Sequence, residues 1–506
     1  MKNNMAAMDT SNSKRRCLAV FGTGSDVGKS VVAAAICRVL ADMGENVAPF
    51  KSQNMSNNSG ITPDGLEMGR AQIVQAEAAR IAPHVDMNPV LLKPTGEMGS
   101  QVVLNGRAFE NSTAVDYHNK KEHYFKEGCN AYDRLEKRYD TIVMEGAGSC
   151  AEVNLMASDI VNFPMAEYAG ADVVLVADIH RGGVFAQIVG TLACLPRKYR
   201  EMVKGFIINR FRGDITLFND GVEWLENRTG KKVFGVLPWY THFRVDAEDS
   251  VEIEAGTLPA SLDSAKPAVA VIRLPHISNF TDFHPLSAIN GLDLAFVDKP
   301  CDLSRFNAVI LPGSKNTRAD LAWIKKSGWA ERIKHHAASG GHLLGICGGF
   351  QMLGLSIDDP AGIEDLQGTT EGLGLLNVRT TIEAEKTTTR SSFTWNTIQG
   401  QGYEIHMGRT ERLSGAPMCR VTRRNQDRQE DWDGCTTHDR HILGTYMHGF
   451  FDTPAIAMQW LSSIGAGETS GLTMESLPDK ERDYDLLKTH FEQHVNVEAL
   501  LAETKS

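Results

Sequence analysis

The sequence GHLLGICGGFQML, residues 341–353, decides how one half of the chain folds. Its first part is an apolar run that predicts a buried strand, and its last part predicts a helix. Cys347 stands between them with glycines close on either side. A reactive side chain on a tight turn from strand to helix is typical of a nucleophile elbow. We therefore predict that Cys347 is a nucleophile; the alternative is a structural cysteine that packs as a small hydrophobe.

A cysteine nucleophile needs a base and a site for developing negative charge. His448 follows a strand-like run in ILGTYMHGFF, residues 442–451, and is the predicted base. The run NAVILPGS, residues 307–314, predicts a strand that ends in a turn. The candidate donors to an oxyanion are the backbone N–H groups of Gly313, Ser314 and Gly348.

A second glycine-rich loop, GTGSDVGKS at residues 22–30, follows an apolar strand candidate and opens a helical run. Strand, glycine loop, lysine, serine and helix form the context of a phosphate-binding loop, whose amides face the phosphates. Lys29 is expected to reach the outer phosphates and Ser30 to hold Mg²⁺, on a loop shaped by Gly24 and Gly28. The alternative is a glycine-rich turn that binds no nucleotide.

The next strand candidate, residues 46–51, ends at Lys51 and runs into SQNMSNNSG. In an open α/β sheet, ligands bind at the carboxyl ends of the strands. Carboxylates and amides could be bound here by Lys51, Asn54, Asn57 and Asn58, although a plain surface turn has the same composition. An anionic substrate that approaches a chain of net charge -11 needs a local positive pocket, for which Lys51 and Arg70 are the candidates.

Further apolar strands alternate with helical stretches through the first half of the chain. TIVME, residues 141–145, ends in Glu145, which is expected to be a second magnesium anchor; the alternative is a carboxylate in solvent. Later strand candidates span residues 172–178, 204–210 and 233–238. This spacing predicts a parallel, doubly wound α/β sheet.

Length and composition bound the remaining choices. At 506 residues the chain divides into a ragged N-terminus (1–16), a nucleotide domain (17–245), a linker (246–266), a second α/β domain (267–465) and a helical tail (466–506). The net charge argues against nucleic acid, and no apolar run could span a membrane. Nine cysteines without a CxxC pair, and no signal peptide, favour a reducing cytoplasm. The sequence does not indicate the oligomeric state.

The motifs LPGSKNTRADL, LLGICGGFQMLG, GYEIHMGRT and GTYMHGFF resemble those of triad-type (class I) glutamine amidotransferases, in the variety found in corrin-amidating synthases. The resemblance implies a flavodoxin-like domain in which Cys347 and His448 release ammonia from glutamine. Most members of the class carry a glutamate two positions after the histidine, where this chain has Phe450. The third member of the triad is therefore not identified, although Asp452 is nearby in sequence.

The first half resembles dethiobiotin synthetase and its relatives in the partitioning-ATPase superfamily. That resemblance implies ATP as a substrate, Mg²⁺ at Ser30, Glu67 and Glu145, and adenine recognition by Asn209. The blocks PFKSQNMSNNSG, MNPVLLKP, SQVVLNG and MEGAGSCAEVNL are similar to one branch of the corrin-amidating synthases.

That branch amidates the b, d, e and g carboxylates of adenosylcobyrinic acid a,c-diamide. The resemblance therefore implies a corrin substrate, activation of each carboxylate as an acyl phosphate, and ammonia supplied by glutamine. One alternative is the branch that forms the a,c-diamide. A second alternative, of another class, is a partitioning-type ATPase that carries an inert amidotransferase module.

Overall fold

The structure is a computed structural model that describes residues 15–95, 99–246, 266–364, 366–466 and 479–504. The predicted N-terminus (1–16) and linker (246–266) lie almost wholly outside the described residues. No helix in the described ranges is both long enough and apolar enough to cross a membrane.

The first half is built on a six-stranded sheet in which every neighbouring pair is parallel. Leu18 and Val20 pack into one buried cluster, whereas Ala19 and Phe21, which alternate with them, pack into another. Because both faces are covered, the strands are apolar throughout, which is why the sequence revealed them. In spatial order the strands are Lys232–Pro238, Val203–Phe211, Asp172–Asp178, Arg16–Gly22, Thr141–Glu145 and Val47–Phe50.

The second half contains another six-stranded sheet, parallel except at its last pair. Its spatial order is Asp293–Val297, Ala268–Ile272, Ala308–Leu311, His342–Ile346, Ile442–Thr445 and Cys435–Thr436. The predicted fold class, two doubly wound α/β halves, is confirmed by the two sheets.

A third, mainly antiparallel sheet was not predicted. Its centre is a long hairpin of Val378–Trp395 and Ile398–Arg412, which we call the hairpin. Charged and hydroxyl side chains occupy most of its exposed positions, so the sequence lacks a continuous apolar run there. Its other strands are Gly368–Glu371, Ser356–Asp359, Cys419–Arg424 and Asp427–Asp433.

Small sheets complete the two halves. The first half adds Gln53–Met55, Val90–Pro94, Gly99–Leu104 and Arg107–Thr113 as one sheet and Ser59–Ile61 with Glu67–Gly69 as another. The second half adds the antiparallel pair Ile277–Ser278 and Gly313–Ser314. Glu67 thus lies in a strand, and the helix that follows begins at Arg70.

Helices cover the faces of both parallel sheets. In the first half they are Lys29–Asp42, Arg70–Ala78, Ala114–Asn119, Lys121–Glu136, Phe163–Tyr168, Val184–Cys194, Arg197–Met202 and Asn219–Thr229. In the second half they are His284–Ser287, Thr317–Ser327, Trp329–Ala338, Gly348–Leu353 and Pro454–Ser463. The tail forms helices Lys480–His494 and Val497–Glu503, which pack against the first half through backbone contacts such as Asn496 N to Phe234 O at 2.8 Å.

Candidate active site

Cys347 occupies a strained turn between the strand His342–Ile346 and the helix Gly348–Leu353. Its φ of 53° and ψ of -111° lie outside the regions that non-glycine residues normally adopt. Gly349, the second residue after Cys347, has no room for a side chain, because a Cβ there would stand 1.9 Å from the carbonyl oxygen of Leu311. The predicted elbow is therefore present in the backbone.

The catalytic candidate His448 is held by Asp282, a residue that the sequence did not single out. Asp282 Oδ2 lies 2.6 Å from His448 Nδ1, and Asp282 Oδ1 accepts a hydrogen bond from the backbone N–H of Gly449 at 2.9 Å. Both side chains are buried. Asp282 therefore fills the position of the triad's third member, while Phe450 packs in an aromatic cluster and Asp452 lines a separate pocket beside Arg70.

The charges around His448 favour its protonated form. Burial alone would lower the pKa of this imidazole, but the negative charges of Asp282 and of a Cys347 thiolate outweigh burial and raise the pKa to about 10. An imidazolium that forms by taking the thiol proton is thus stabilised. In the structure the thiol of Cys347 donates to the carbonyl oxygen of Ile405 at 3.3 Å.

The three candidate oxyanion residues lie close together. A Cβ on Gly313 would meet Cε1 of His448 at 3.1 Å, and a Cβ on Gly348 would meet the backbone nitrogen of Ser314 at 2.9 Å. The residues are therefore packed against one another beside the triad. Gly313 and Ser314 lie on a short strand that pairs with Ile277–Ser278, just before Asp282 in the chain.

A cavity of about 40 Å³ adjoins Cys347 and contains groups of both charges. Lys93, Lys315, Lys386 and Glu364 line it. Among the described residues, the ammonium of Lys315 has no hydrogen-bond or ion-pair partner. The carboxylate of Glu364 accepts weak hydrogen bonds at 3.3 Å from Thr317 Oγ1 and from the backbone N–H of Arg318.

The second candidate centre is the glycine loop of the first half. The helix Lys29–Asp42 begins directly after Gly28, whose φ of 95° favours glycine. Lys29 Nζ donates to the carbonyl oxygens of Gly24 and Gly148, each at 3.0 Å. Asn209 donates to the carbonyl oxygen of Val27 at 2.9 Å, so this side chain adjoins the loop.

The three predicted magnesium ligands do not form one group. Ser30 Oγ donates to Glu145 Oε1 at 2.8 Å, so these two are adjacent. Glu67 instead has both carboxylate oxygens occupied, Oε1 by Lys93 at 2.6 Å and Oε2 by Lys386 at 2.5 Å. No group of three or more His, Cys, Asp or Glu suited to a metal occurs in the part of the chain that the structure describes.

A large cavity of about 950 Å³ opens in front of the glycine loop. That volume is within the usual range of pockets for small ligands, roughly 300 to 1,000 Å³. Five of the predicted nucleotide and substrate residues line it together: Gly28, Lys29, Ser30, Lys51 and Asn54. Lys51 also contacts Glu145 at 3.0 Å, which connects the substrate loop to the candidate magnesium anchor.

The other predicted substrate residues lie between the two halves. Asn57 Nδ2 donates to the carbonyl oxygen of Pro94 at 3.3 Å, and Asn58 Oδ1 accepts from Thr281 Oγ1 at 3.0 Å. Arg70 donates two hydrogen bonds to Asp246 Oδ2, at 2.9 and 2.7 Å, and lines the smaller pocket with Asp452.

The two halves match two known domain families. Residues 18–252 match the CobQ/CobB/MinD/ParA nucleotide binding domain, and residues 268–456 match the CobB/CobQ-like glutamine amidotransferase domain. The chain is therefore a nucleotide-binding protein joined to a glutamine amidotransferase, which agrees with the phosphate loop and the triad described above.

Closely similar proteins extend the match to nearly the whole chain. Cobyric acid synthase of Chlorobium phaeobacteroides (strain BS1) is 50% identical over 95% of this chain and 98% of its own length. Cobyric acid synthases of Pelodictyon phaeoclathratiforme and Chlorobaculum tepidum are each 49% identical, over 95% and 96% of this chain and 96% and 97% of theirs. The chain belongs to the cobyric acid synthase family, and the resemblance drawn from its motifs is confirmed.

Proposed function

We propose that the chain uses ATP and glutamine to amidate the b, d, e and g carboxylates of adenosylcobyrinic acid a,c-diamide. The observation that carries this proposal is that a chain of the cobyric acid synthase family has both a Cys–His–Asp triad and a phosphate loop that opens into a large cavity. The nine cysteines, all free thiols, fit a reaction that takes place in a reducing cytoplasm.

Ammonia is produced in the second half. Because Nδ1 of His448 faces Asp282, Nε2 is the nitrogen that takes the thiol proton. The Cys347 thiolate attacks the carboxamide carbon of glutamine, while the N–H groups at Gly313, Ser314 and Gly348 bind the oxyanion. His448 returns the proton to the leaving nitrogen, which departs as ammonia, and water then hydrolyses the thioester to glutamate.

The cavity beside Cys347 has groups that suit the amino-acid end of glutamine. Lys315 offers its ammonium to the α-carboxylate, and Glu364 offers a carboxylate to the α-ammonium. A volume of about 40 Å³ accommodates little more than the carboxamide, so we expect the surrounding side chains to move when glutamine binds.

The carboxylate is activated in the first half. Lys29 stabilises the charge on the phosphoryl group that is transferred from ATP to the corrin carboxylate, which gives an acyl phosphate and ADP. Ammonia attacks the acyl carbon, phosphate leaves, and the amide remains. Lys51 and Asn54 contact the carboxylate, and Asn209 contacts the adenine.

Magnesium fits a pair of residues here, since a hydroxyl and a carboxylate only 2.8 Å apart suit an ion that keeps several water and phosphate ligands. When bound, Mg²⁺ would neutralise charge on the ATP phosphates. Ser30 and Glu145 would hold it. Glu67 remains a predicted ligand, although both of its oxygens contact lysine ammonium groups.

The division of labour is tested by Cys347→Ala. This variant should lose glutamine-dependent amidation by at least about a thousandfold, because no thioester can form. It should still amidate the corrin when a high concentration of ammonium salt is supplied at mildly alkaline pH. The measurement is mass spectrometry of the corrin products with each nitrogen source.

Cys194→Ala, which changes an exposed cysteine, is the matched control and should behave like the unaltered chain. Glutamine use that survives in Cys347→Ala would refute the proposed nucleophile. Loss of both activities in a folded Cys347→Ala protein would show instead that the thiol serves the synthetase chemistry.

A further inference from the structure

The tail helix Lys480–His494 packs against the first half, although the whole amidotransferase half lies between the two in the chain. Just after this helix, Val495 pairs with Gly235 of the edge strand Lys232–Pro238 in an antiparallel bridge. A Cβ on Gly235 would stand 2.7 Å from the Cα of Val495. The edge strand thus has a glycine where the backbone of the tail approaches it closely.

Residues 238–243, which follow from this strand, reach the large cavity in front of the glycine loop. Tyr240 lines that cavity together with Gly28. The neighbouring strand Val203–Phe211 carries Asn209, and a Cβ on Gly28 would collide with the amide nitrogen of that side chain. Ligands of an open α/β sheet bind at the carboxyl ends of its strands. If the phosphates of ATP lie at the glycine loop and Asn209 contacts the adenine, the base therefore lies beside Tyr240.

A second, small pocket shares Tyr240 with the large cavity. Its walls include Asn209 and Tyr240 and, from the tail helix, Leu487 and His490. Its volume is about 10 Å³, so it has no room for a base. Tyr240 therefore lies between the large cavity and the tail helix.

His490 of the tail contacts residues 238–243 at two points. Its Nε2 donates to the carbonyl oxygen of Pro238 at 3.1 Å, because a carbonyl oxygen can only accept. Its ring packs edge-on against the ring of Tyr240, with centroids 5.8 Å apart. Tyr240 also stacks on Phe243, with centroids 4.1 Å apart. His490 is only 7% exposed, so its contacts fix the position of the Tyr240 ring from the side of the tail.

We propose that His490 is a positioning residue for ATP, through which the tail helix holds Tyr240 as the surface against which the adenine packs. The tail thereby completes the nucleotide site of the first half. The inference rests on the proposed function, because that function places ATP in the large cavity. It assigns to the tail an effect on the base and none on the phosphates, which bind at Lys29.

The experiment measures the Kd of MgATP by equilibrium dialysis, without corrin or glutamine. His490→Leu loses the donor to Pro238 and should raise this Kd about fivefold, the effect of losing one hydrogen bond. His490→Gln retains an amide N–H that can reach Pro238 and should restore most of the affinity. Magnesium tripolyphosphate, which has phosphates but no base, should bind equally to the unaltered chain and to both variants.

A second substitution tests whether His490 acts through the Tyr240 ring. Tyr240→Ala should itself raise the Kd of MgATP about fivefold, because the base loses an aromatic surface. Adding His490→Leu to Tyr240→Ala should have little further effect, since no ring remains to be positioned. Gln493→Leu, at an exposed position of the same helix, is the control and should bind MgATP like the unaltered chain.

Unchanged affinity for MgATP in either His490→Leu or Tyr240→Ala would overturn the inference. An equal loss of affinity for tripolyphosphate, or fully additive effects of the two substitutions, would also overturn it. Failure of the proposed function has a different signature: the variants would still differ in their affinity for MgATP, but the unaltered chain would not amidate the corrin even with ammonium salt.

Discussion

Lys315 lines the cavity beside Cys347 and has no ion-pair partner among the described residues. Burial is the main cause that lowers the pKa of its ammonium, and repulsion by Lys386 and Lys93 lowers it further, to about 7; Glu364 and Glu67 oppose this shift. The charged form therefore predominates below about pH 7 and is lost above it. If Lys315 binds the α-carboxylate of glutamine, affinity should decline on the alkaline side.

We expect Lys315→Arg to retain glutamine affinity at alkaline pH, since a guanidinium stays protonated. The measurement is the ratio of kcat/KM for glutamine in Lys315→Arg to that of the unaltered chain, which cancels the effects of pH that the two proteins share. This ratio should increase from pH 6 to pH 9. A flat ratio, or an equal effect on ammonia-dependent amidation, would contradict the role of Lys315.

Asp282 and Glu67 show which features of the site could not be predicted from the sequence. Cys347 and His448 were proposed from the sequence because a glycine-rich turn and the end of a strand can be recognised from neighbouring residues. Asp282 lies in NFTDFH, far from both in the chain, and tertiary folding brings it to His448. The ion pairs of Glu67 were not foreseen for the same reason, because its lysine partners come from distant strands.

Among the elements, the tail helix Lys480–His494 has a position that its sequence did not indicate. Charge and helical pattern predicted the helix, but its partner is the helix Lys29–Asp42 of the first half. Arg38, whose side chain is fully buried, donates to Asp485 at 2.5 Å and to Glu481 at 2.9 Å. A buried guanidinium needs such carboxylates, because an unpaired buried charge is costly.

Replacing Glu481 and Asp485 together by alanine should lower the free energy of unfolding of the first half by about 1 to 3 kcal/mol, since Arg38 would lose both carboxylates. Adding Arg38→Met should restore most of this loss, because an apolar side chain needs no partner. Urea denaturation measures both. Glu201→Ala, which breaks an exposed pair with Arg197, is the control and should have little effect.

An Arg38→Met addition that destabilises the double variant further would contradict this account.

The parallel strands, in contrast, were predicted closely, since burial on both faces leaves an apolar run. The hairpin was not predicted, because its exposed faces are polar. Its contact with the first half through Lys386 is a tertiary contact, which leaves no local pattern in the sequence.

At the scale of the whole molecule, a buried charged side chain of one half pairs with a buried charged side chain of the other. Lys386 of the hairpin donates to Glu67 at 2.5 Å and to Gln101 at 3.1 Å in the first half. Burial lowers the pKa of Lys386 to about 8, while Lys386 and Lys93 overcome burial and hold the pKa of Glu67 well below its usual range. Lys386 of the second half thus pairs with the buried carboxylate of Glu67 in the first half. In the other direction, Lys93 of the first half forms part of the wall of the cavity beside Cys347.

A substitution in the phosphate loop should nevertheless stop amidation in the first half without stopping glutamine hydrolysis in the second. Lys29→Ala should abolish amide formation from glutamine and from ammonium salt alike, because the acyl phosphate precedes the use of either. Glutamine hydrolysis without corrin should remain near its normal rate, since the triad is intact. The measurements are corrin mass spectrometry and glutamate release on the same protein. Amidation that continues with ammonium salt would remove the loop from the mechanism, whereas loss of glutamine hydrolysis as well would show that Lys29 also maintains the contact between the halves.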